Sequence, residues 1–183
     1  MKANRKILQT ASGQVIDLLN PDPRSINIGD IAHGLSHMCR FSGQTMIFYS
    51  VADHSLLAAL YALRRSPQDQ LLALLHDATE AYICDMPSPV KYHCRKYKQI
   101  ELRLLNVILK KFGLAPIKAL PEWLKAIDDR LLERERALLF TKFLATNHPF
   151  QSPVRTRCDF LNHFNRLMDK IHFPKEAPNV RRP

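Results

Sequence analysis

The chain has 183 residues, of which 46% are hydrophobic and 24% are charged. This composition is typical of a folded globular protein and excludes a disordered or fibrous chain. The four cysteines form no C-x-x-C pair, and no apolar run is long enough for a signal peptide or a membrane span, so we expect reduced thiols, a cytoplasmic location and no membrane partner. The formal net charge of +10 indicates an anionic partner, either a phosphate-bearing small molecule or a nucleic acid.

Long segments rich in leucine, alanine and charged residues, with only five glycines, predict an all-α fold. We expect a bundle of about six helices in a single domain spanning residues 1–183. Its core lies at about 26–172, between a loose N-terminal arm and a loose C-terminal tail. Residues 13–19 could add a short strand or hairpin arm. The predicted helices cover about 28–39, 50–65, 67–82, 92–112, 122–144 and 157–171.

The third predicted helix carries the strongest chemical signal. Its apolar stripe consists of Leu71, Leu74, Leu75, Ala78 and Tyr82. His76, Asp77 and Glu80 fall within roughly 100° of one another on the side away from this stripe. An imidazole and two carboxylates on one face can hold a divalent metal and activate a water molecule. The alternative is a solvated polar face, which most helices have.

A second histidine is expected at the same end of the bundle. The helix over 50–65 is apolar nearly all round and should be buried, with His54 inside it. A short turn that ends at Pro67 makes this helix an antiparallel neighbour of the next one. Because His54 lies early in one helix and His76 late in the other, both side chains can reach a shared metal.

The helix over 122–144 carries acidic residues on its apolar side. The apolar stripe consists of Leu124, Ile127, Leu131, Leu138 and Leu139. Asp128 and Glu135 fall inside this stripe, whereas Asp129 points away from it. A carboxylate that faces the core is costly unless a positive group meets it. Two interpretations stay open: a buried salt bridge to an arginine, or a metal ligand at Asp128 with Glu135 behind it or holding a basic residue in place.

The order of these residues resembles the H…HD…D pattern of the HD-domain metal-dependent phosphohydrolases. The segments SVADHS at 50–55 and HDATEAYICDMPSPVKY at 76–92 are similar to the bacterial 5′-deoxynucleotidases of the YfbR type and to small phage enzymes that hydrolyse dATP. The resemblance covers about 26–136. It implies an HD-domain helical bundle with one divalent ion, Co²⁺, Mn²⁺, Zn²⁺ or Mg²⁺, in which nitrogen ligands favour the transition metals. The implied metal ligands are His54, His76, Asp77 and Asp128.

The resemblance also implies roles for the residues around the metal. Glu80 and Asp85 correspond to the two catalytic carboxylates, one accepting a proton from the attacking water and the other donating a proton to the leaving oxygen; which is which stays open. Arg40 and Lys91 correspond to phosphate-binding residues.

The base is expected to lie near the segment that follows Arg40. Phe41 stands where some relatives have a tryptophan, and its ring could stack on a base. Gly43 leaves room nearby, which puts strict base selection in doubt. His33 and His37 are expected to be packing or capping residues, although His33 could line the nucleotide pocket. Cys84 is expected to be a small buried side chain.

The expected function is metal-dependent hydrolysis of deoxynucleotide phosphates. The first expectation is a dATP or general dNTP triphosphohydrolase that releases deoxynucleoside and phosphates, in a homo-oligomer that would work in the host cytoplasm if phage-encoded. The alternative within this class is a 5′-deoxynucleotidase acting on dNMPs. A basic nucleic-acid-binding protein is the alternative from another class, weakened because no helix-turn-helix, RNP or zinc-finger signature is present. A degenerate scaffold is disfavoured because every metal position is filled.

Overall fold

A computed structural model describes residues 7–141 and 152–173, and within these ranges it confirms the prediction of an all-α helical bundle. The only sheet in the described part of the chain is a two-stranded antiparallel hairpin near the N-terminus. No described helix is both long and apolar enough to cross a lipid bilayer. The elements are β1 (Ile7–Gln9), β2 (Val15–Asp17), α1 (Ile28–His37), α2 (Val51–Tyr61), α3 (Pro67–Leu75), α4 (Glu80–Ile83), α5 (Ser88–His93), α6 (Arg95–Lys111), α7 (Glu122–Leu139) and α8 (Pro153–His172), with short 3₁₀ turns at Pro23–Ser25 and Phe41–Gly43.

The main core lies where α1, α3 and α8 pack together, with α2 and α6 completing it. Its largest fully buried side chains include Leu35, Leu71, Leu74, Ile108 and Phe160. A smaller cluster joins α7 to α2 and α3 through Ala58, Ala62, Ala73, Leu124 and Leu131. The alanines on α2 and α3 let α7 approach closely, and this contact brings the acidic side of α7 against the buried end of the α2–α3 pair.

The predicted helix over 67–82 is not continuous. The helix α3 ends at Leu75, and α4 begins only at Glu80. The turn between them is tightened by i→i+3 hydrogen bonds, from Ala78 N–H to Leu75 O at 3.0 Å and from Glu80 N–H to Asp77 O at 3.0 Å. His76 and Glu80 are only 4% and 5% exposed, so the alternative of a solvated polar face is wrong.

Several other boundaries differ from the sequence-based prediction. The helix predicted over 92–112 is two helices, because Cys94 leaves the helical region with φ −101° and ψ 74°. The helix α7 ends at Leu139, and residues 142–144 of the predicted helix lie outside the described residues. Leu138 is 42% exposed and does not belong to the apolar stripe. Cys84 is exposed and lies in the left-handed region at φ 69°, so the expectation of a buried thiol was wrong.

The N-terminal residues that we expected to be loose are part of the fold from residue 7 onward. Ile16 on β2 is fully buried in the main core. The turn between the strands is anchored by Asp30 on α1, which accepts hydrogen bonds from Thr10 Oγ1 at 2.8 Å, Ser12 N–H at 2.8 Å and Ser12 Oγ at 2.7 Å. The predicted loose tail beyond residue 173 lies outside the described residues.

Gly34 sets the distance between α1 and α4. A Cβ atom at this position would lie 2.9 Å from the Cβ atom of Ala81 and 3.0 Å from its carbonyl oxygen, which is closer than folded proteins allow. Because Ala81 follows Glu80 in α4, this close approach fixes the depth at which Glu80 is held in the bundle.

We therefore expect Gly34→Ala to destabilise the protein by about 1–3 kcal/mol, even though alanine is the better helix former, because overpacking pushes α4 outward. Urea denaturation followed by circular dichroism measures this change. The control is Gln68→Ala at an exposed site on α3, which should change the free energy of unfolding by less than about 0.5 kcal/mol. A Gly34→Ala protein as stable as the wild type would contradict the close packing.

Candidate active site

The four predicted metal ligands come together from three separate parts of the chain. His54 Nε2, on α2, lies 3.3 Å from His76 Nε2 and 3.1 Å from Asp128 Oδ1 on α7. Asp77 Oδ2 lies 3.3 Å from His76 Nε2 and 3.7 Å from His54 Nε2. Candidate ligand atoms of His54, His76 and Asp77 all lie within 4.8 Å of one another. The structure therefore brings His54, His76 and Asp77 into one cluster and places Asp128 in contact with His54.

The orientation of the two imidazole rings fits a bound cation. His54 Nδ1 lies 2.7 Å from Glu135 Oε1, and His76 Nδ1 lies 2.8 Å from Ala73 O. With both ring protons donated to these acceptors, the two Nε2 lone pairs point at each other and at the carboxylates, which is favourable only with a proton or a cation between them. Tetrahedral zinc with bonds of about 2.0–2.1 Å would separate its ligand atoms by roughly 3.3–3.4 Å. The two Nε2 atoms lie 3.3 Å apart, and the nearest carboxylate oxygen is 3.1 Å from His54 Nε2 and 3.3 Å from His76 Nε2.

The charges in this cluster are strongly coupled to one another. Burial lowers the pKa of His54. Hydrogen bonds to Asp128 and Glu135 together more than offset this effect, so the pKa of His54 is raised to about 9. Burial raises the pKa of the Asp128 carboxyl, but the hydrogen bond from His54 and the charges of His76, His54 and Arg40 together lower it to about 2. Burial also opposes ionisation of Asp77, yet His76, His54 and Arg40 lower its pKa. A pKa of about 9 favours the protonated form of His54 at neutral pH.

The start of α2 explains how His54 is held. Ser50 and Asp53 form a capping box, in which Ser50 Oγ accepts from Asp53 N–H at 3.1 Å and Asp53 Oδ2 accepts from Ser50 N–H at 2.9 Å. Thr156 on α8 donates to the other oxygen of Asp53 at 3.1 Å. The capping box places His54 in the first turns of α2, where it is fully buried against α7.

Glu135 is hydrogen-bonded both to the candidate metal ligand His54 and to the basic residue Arg40. Its Oε2 accepts from Arg40 Nε at 3.1 Å, and its Oε1 accepts from Tyr49 Oη at 3.0 Å and from His54 Nδ1. Burial raises the pKa of Glu135, but these partners together lower it below its usual value. Both interpretations left open by the sequence therefore apply to Glu135, which forms a buried salt bridge with an arginine and supports a candidate metal ligand.

Arg40 lies next to the candidate metal ligands and is already paired with a carboxylate. Its guanidinium is buried, paired with Glu135, and 3.6 Å from Asp77 Oδ2 through Nη1. Phe41 has φ 54°, and its ring packs edge-on against Phe140 with centroids 5.4 Å apart. Gly43 is exposed, and no atom lies within 4 Å of where its Cβ would be. The predicted roles of these residues in substrate binding stay predictions.

The two predicted catalytic carboxylates lie beside Asp77 and differ in exposure. Glu80 is buried, and its Oε2 has no hydrogen-bond partner among the described residues. Burial, followed by the charges of Asp77 and Asp85, raises the pKa of Glu80 well above its usual value. Asp85 is half-buried, and burial raises its pKa while Arg40 opposes the shift. A buried carboxylate without a partner is costly for stability, and such groups concentrate at functional sites.

Lys91 lines a cavity of about 130 Å³ that His76 and Asp77 border. Its ammonium pairs with Glu101, and this partner raises the pKa of Lys91 although burial lowers it. The other side chains that line the cavity are aliphatic, from α6 and from the segment before α7: Leu102, Leu105, Ile117 and Leu120.

Two residues of this region escaped the sequence analysis. Tyr49 contacts Glu135, and Glu101 contacts Lys91. Both partners are distant in sequence, and no spacing pattern marks either contact.

His33 and His37 stack with ring centroids 4.1 Å apart, and neither lines the cavity described above. The prediction that they are packing or capping residues agrees with this contact.

Comparison with known proteins places the chain among relatives whose names state no activity. It is 41% identical over 132 residues to the uncharacterized protein YfdR of Escherichia coli K12, covering 70% of each chain. It is 44% identical over 119 residues to the uncharacterized protein RCAP_rcc00048 of Rhodobacter capsulatus, covering 58% of this chain and 61% of that one. No sequence profile of a known protein family matches.

Asp128 and Asp129 offer a matched test of the metal site, because they are neighbours and only Asp128 contacts His54. We expect Asp128→Asn to lower the affinity for Co²⁺ or Zn²⁺ by at least about tenfold, because it removes a charged oxygen ligand. Asp129→Asn removes the same charge from the exposed side of α7 and should leave the affinity within about twofold. Isothermal titration calorimetry gives both values, and equal losses would argue against a ligand role for Asp128.

Glu135 is expected to control metal affinity through the tautomer of His54. In Glu135→Gln the amide can donate to Nδ1, which moves the ring proton to Nε2 and lowers the affinity for the metal by about 10–100-fold. Tyr49→Phe removes another hydrogen bond to the same carboxylate but leaves the His54 contact, so we expect less than about a threefold effect. Calorimetry with Zn²⁺ separates the two variants. Unchanged affinity in Glu135→Gln, in a protein that folds normally, would rule out this role.

Proposed function

We propose that this chain, which belongs to the same protein family as YfdR of Escherichia coli, catalyses the metal-dependent hydrolysis of deoxynucleotide phosphates. The observation that carries the proposal is the cluster of His54, His76 and Asp77, with Asp128 in contact with His54. Beside it lies the buried carboxylate of Glu80, whose Oε2 has no hydrogen-bond partner among the described residues. The resemblance of residues 26–136 to HD-domain phosphohydrolases supplies the reaction class and the substrate.

The four converging residues would hold one divalent ion, with transition metals preferred because two ligands are imidazoles. When bound, such an ion lowers the pKa of water and offsets negative charge on phosphoryl oxygens. Glu135 and the Ala73 carbonyl keep the two rings oriented with Nε2 toward the ion. This support means that the ligand geometry is set before a substrate arrives.

Proton transfer is assigned to the two acidic residues next to Asp77. Glu80 takes a proton from the attacking water, because burial makes its carboxylate a stronger base than an exposed glutamate. Asp85 is more accessible than Glu80, so we assign it the second transfer, the donation of a proton to the oxygen of the leaving nucleoside. Arg40 and Lys91 supply positive charge near the phosphate, Arg40 without leaving its contact with Glu135.

These residues can act on a monophosphate or on the α-phosphate of a triphosphate. The proposed first choice is dATP, because the net charge of +10 favours a highly charged anion. In that case the products are deoxyadenosine and triphosphate, whereas a 5′-deoxynucleotidase would release deoxynucleoside and orthophosphate from dNMPs.

The test is release of nucleoside and phosphate from a panel of dNMPs and dNTPs, with Co²⁺ present and after chelation. We expect turnover that requires the metal, and Glu80→Gln should lower kcat by about 10²–10⁴-fold because the proton acceptor is lost. The control, Glu133→Gln on the exposed face of α7, should leave kcat within about twofold. A metal-loaded wild-type protein that hydrolyses no nucleotide would refute the proposal. Salt-sensitive binding of single-stranded DNA by that inactive protein would instead favour the nucleic-acid-binding function.

A further inference from the structure

The cavity beside the candidate metal ligands is lined by two chemically different groups of side chains. His76 and Asp77 belong to the candidate metal site. Leu102, Ile117 and Leu120 supply an aliphatic wall. A molecule whose phosphate lies near the metal ligands would therefore extend an apolar part between α6 and the segment that follows it.

Backbone and side-chain hydrogen bonds hold the aliphatic wall of the cavity in place. Gly113, at φ 76°, ends α6 and reverses the chain direction. Asn106 on α6 then pins the returning segment, since its Nδ2 donates to Ile117 O at 2.9 Å and its Oδ1 accepts from Ile117 N–H at 2.7 Å. This double hydrogen bond holds Ile117 over α6, so that the wall of the cavity is present before a ligand binds.

A charged pair lies at the edge of the same cavity. Lys91 on α5 pairs with Glu101 on α6, and both side chains stay partly exposed, at 27% and 18%. Ligand pockets commonly combine apolar walls with a few polar groups that fix orientation. Here an ammonium donor and a carboxylate acceptor stand next to each other, which matches the edge of a nucleobase, where donors and acceptors also alternate.

The size of the cavity fits one ring. A cavity of roughly 150 Å³ lined by aliphatic and aromatic side chains binds benzene, and this one measures about 130 Å³. In a pyrimidine the whole base is one six-membered ring. In a purine the sugar is attached to the five-membered ring, so the six-membered ring would enter the cavity first.

We infer that this cavity is the subsite for the base of the nucleotide, with the ring between the aliphatic side chains and its polar edge on Glu101 and Lys91. The inference rests on the proposed function and places the base away from Phe41, where the sequence led us to expect it. In this arrangement Lys91, which is paired with Glu101, contacts the base in addition to any contact with the phosphate.

The test compares substrates with and without a base. Ile117→Trp fills the cavity, and Ala119→Trp adds the same bulk at an exposed position two residues away. Each protein, loaded with metal, is assayed with the best dNMP and with 2-deoxyribose 5-phosphate, or with the matching triphosphates if the panel selects these. We expect Ile117→Trp to lower kcat/KM for the nucleotide by at least about tenfold, mainly through KM, and to leave the baseless substrate within about twofold. Ala119→Trp should behave as the wild type.

The outcomes separate this inference from the proposed function. Nucleotide turnover with an unchanged ratio between the two substrates in Ile117→Trp would overturn the base subsite and leave the enzymatic function standing. If no substrate is hydrolysed, saturation-transfer NMR of deoxynucleosides with the Zn²⁺-loaded protein decides. Binding to the wild type and not to Ile117→Trp supports the subsite, and equal signals in both proteins overturn it.

Discussion

The hydrogen bond between Glu135 and His54 Nδ1 is the contact on which the candidate site depends. It joins α7 to α2, so the helix that carries Asp128 and the helix that carries His54 are held at one distance. The same carboxylate fixes Arg40, which precedes α2 by a loop. A buried carboxylate survives in a protein interior only when positive groups and hydrogen-bond donors surround it, and both conditions are met here.

The balance of charge around this contact also explains why a cation suits the site. Asp77, Glu80, Asp85 and Asp128 lie close enough for one carboxylate to raise the pKa of another, and Glu135 adds a further carboxylate. The positive charges of Arg40 and Lys91 offset part of this negative charge, and Lys91 also pairs with Glu101. The excess of negative charge in a buried cluster is relieved either by raised pKa values, as at Glu80, or by a bound divalent ion.

Helical periodicity was enough to predict that His54 and His76 would meet and that Asp128 would face the core, whereas the residues around them were predicted from the family resemblance. His54 and His76 share one end of an antiparallel pair because a short turn connects their helices. The side chains of Asp128 and Asp129 point in different directions because neighbours on a helix are about 100° apart. Features that depend on contacts distant in sequence were not predicted. Asp30 anchors a hairpin 18 and 20 residues away, Tyr49 contacts a residue 86 positions away, and the break at His76 depends on i→i+3 bonds that an apolar pattern does not reveal.

The place of α8 in the core has a consequence for biosynthesis. Phe160 and Leu167 fill the space against α1 and α3, and Thr156 holds the capping box at the start of α2. On the ribosome, α1, α2 and α3 emerge long before this helix, so their apolar faces stay uncovered while α4 to α7 are made. A nascent chain at that stage exposes apolar surface, and its histidines and carboxylates are not yet fixed in position. The candidate metal ligands are therefore expected to come together only after the bundle is complete.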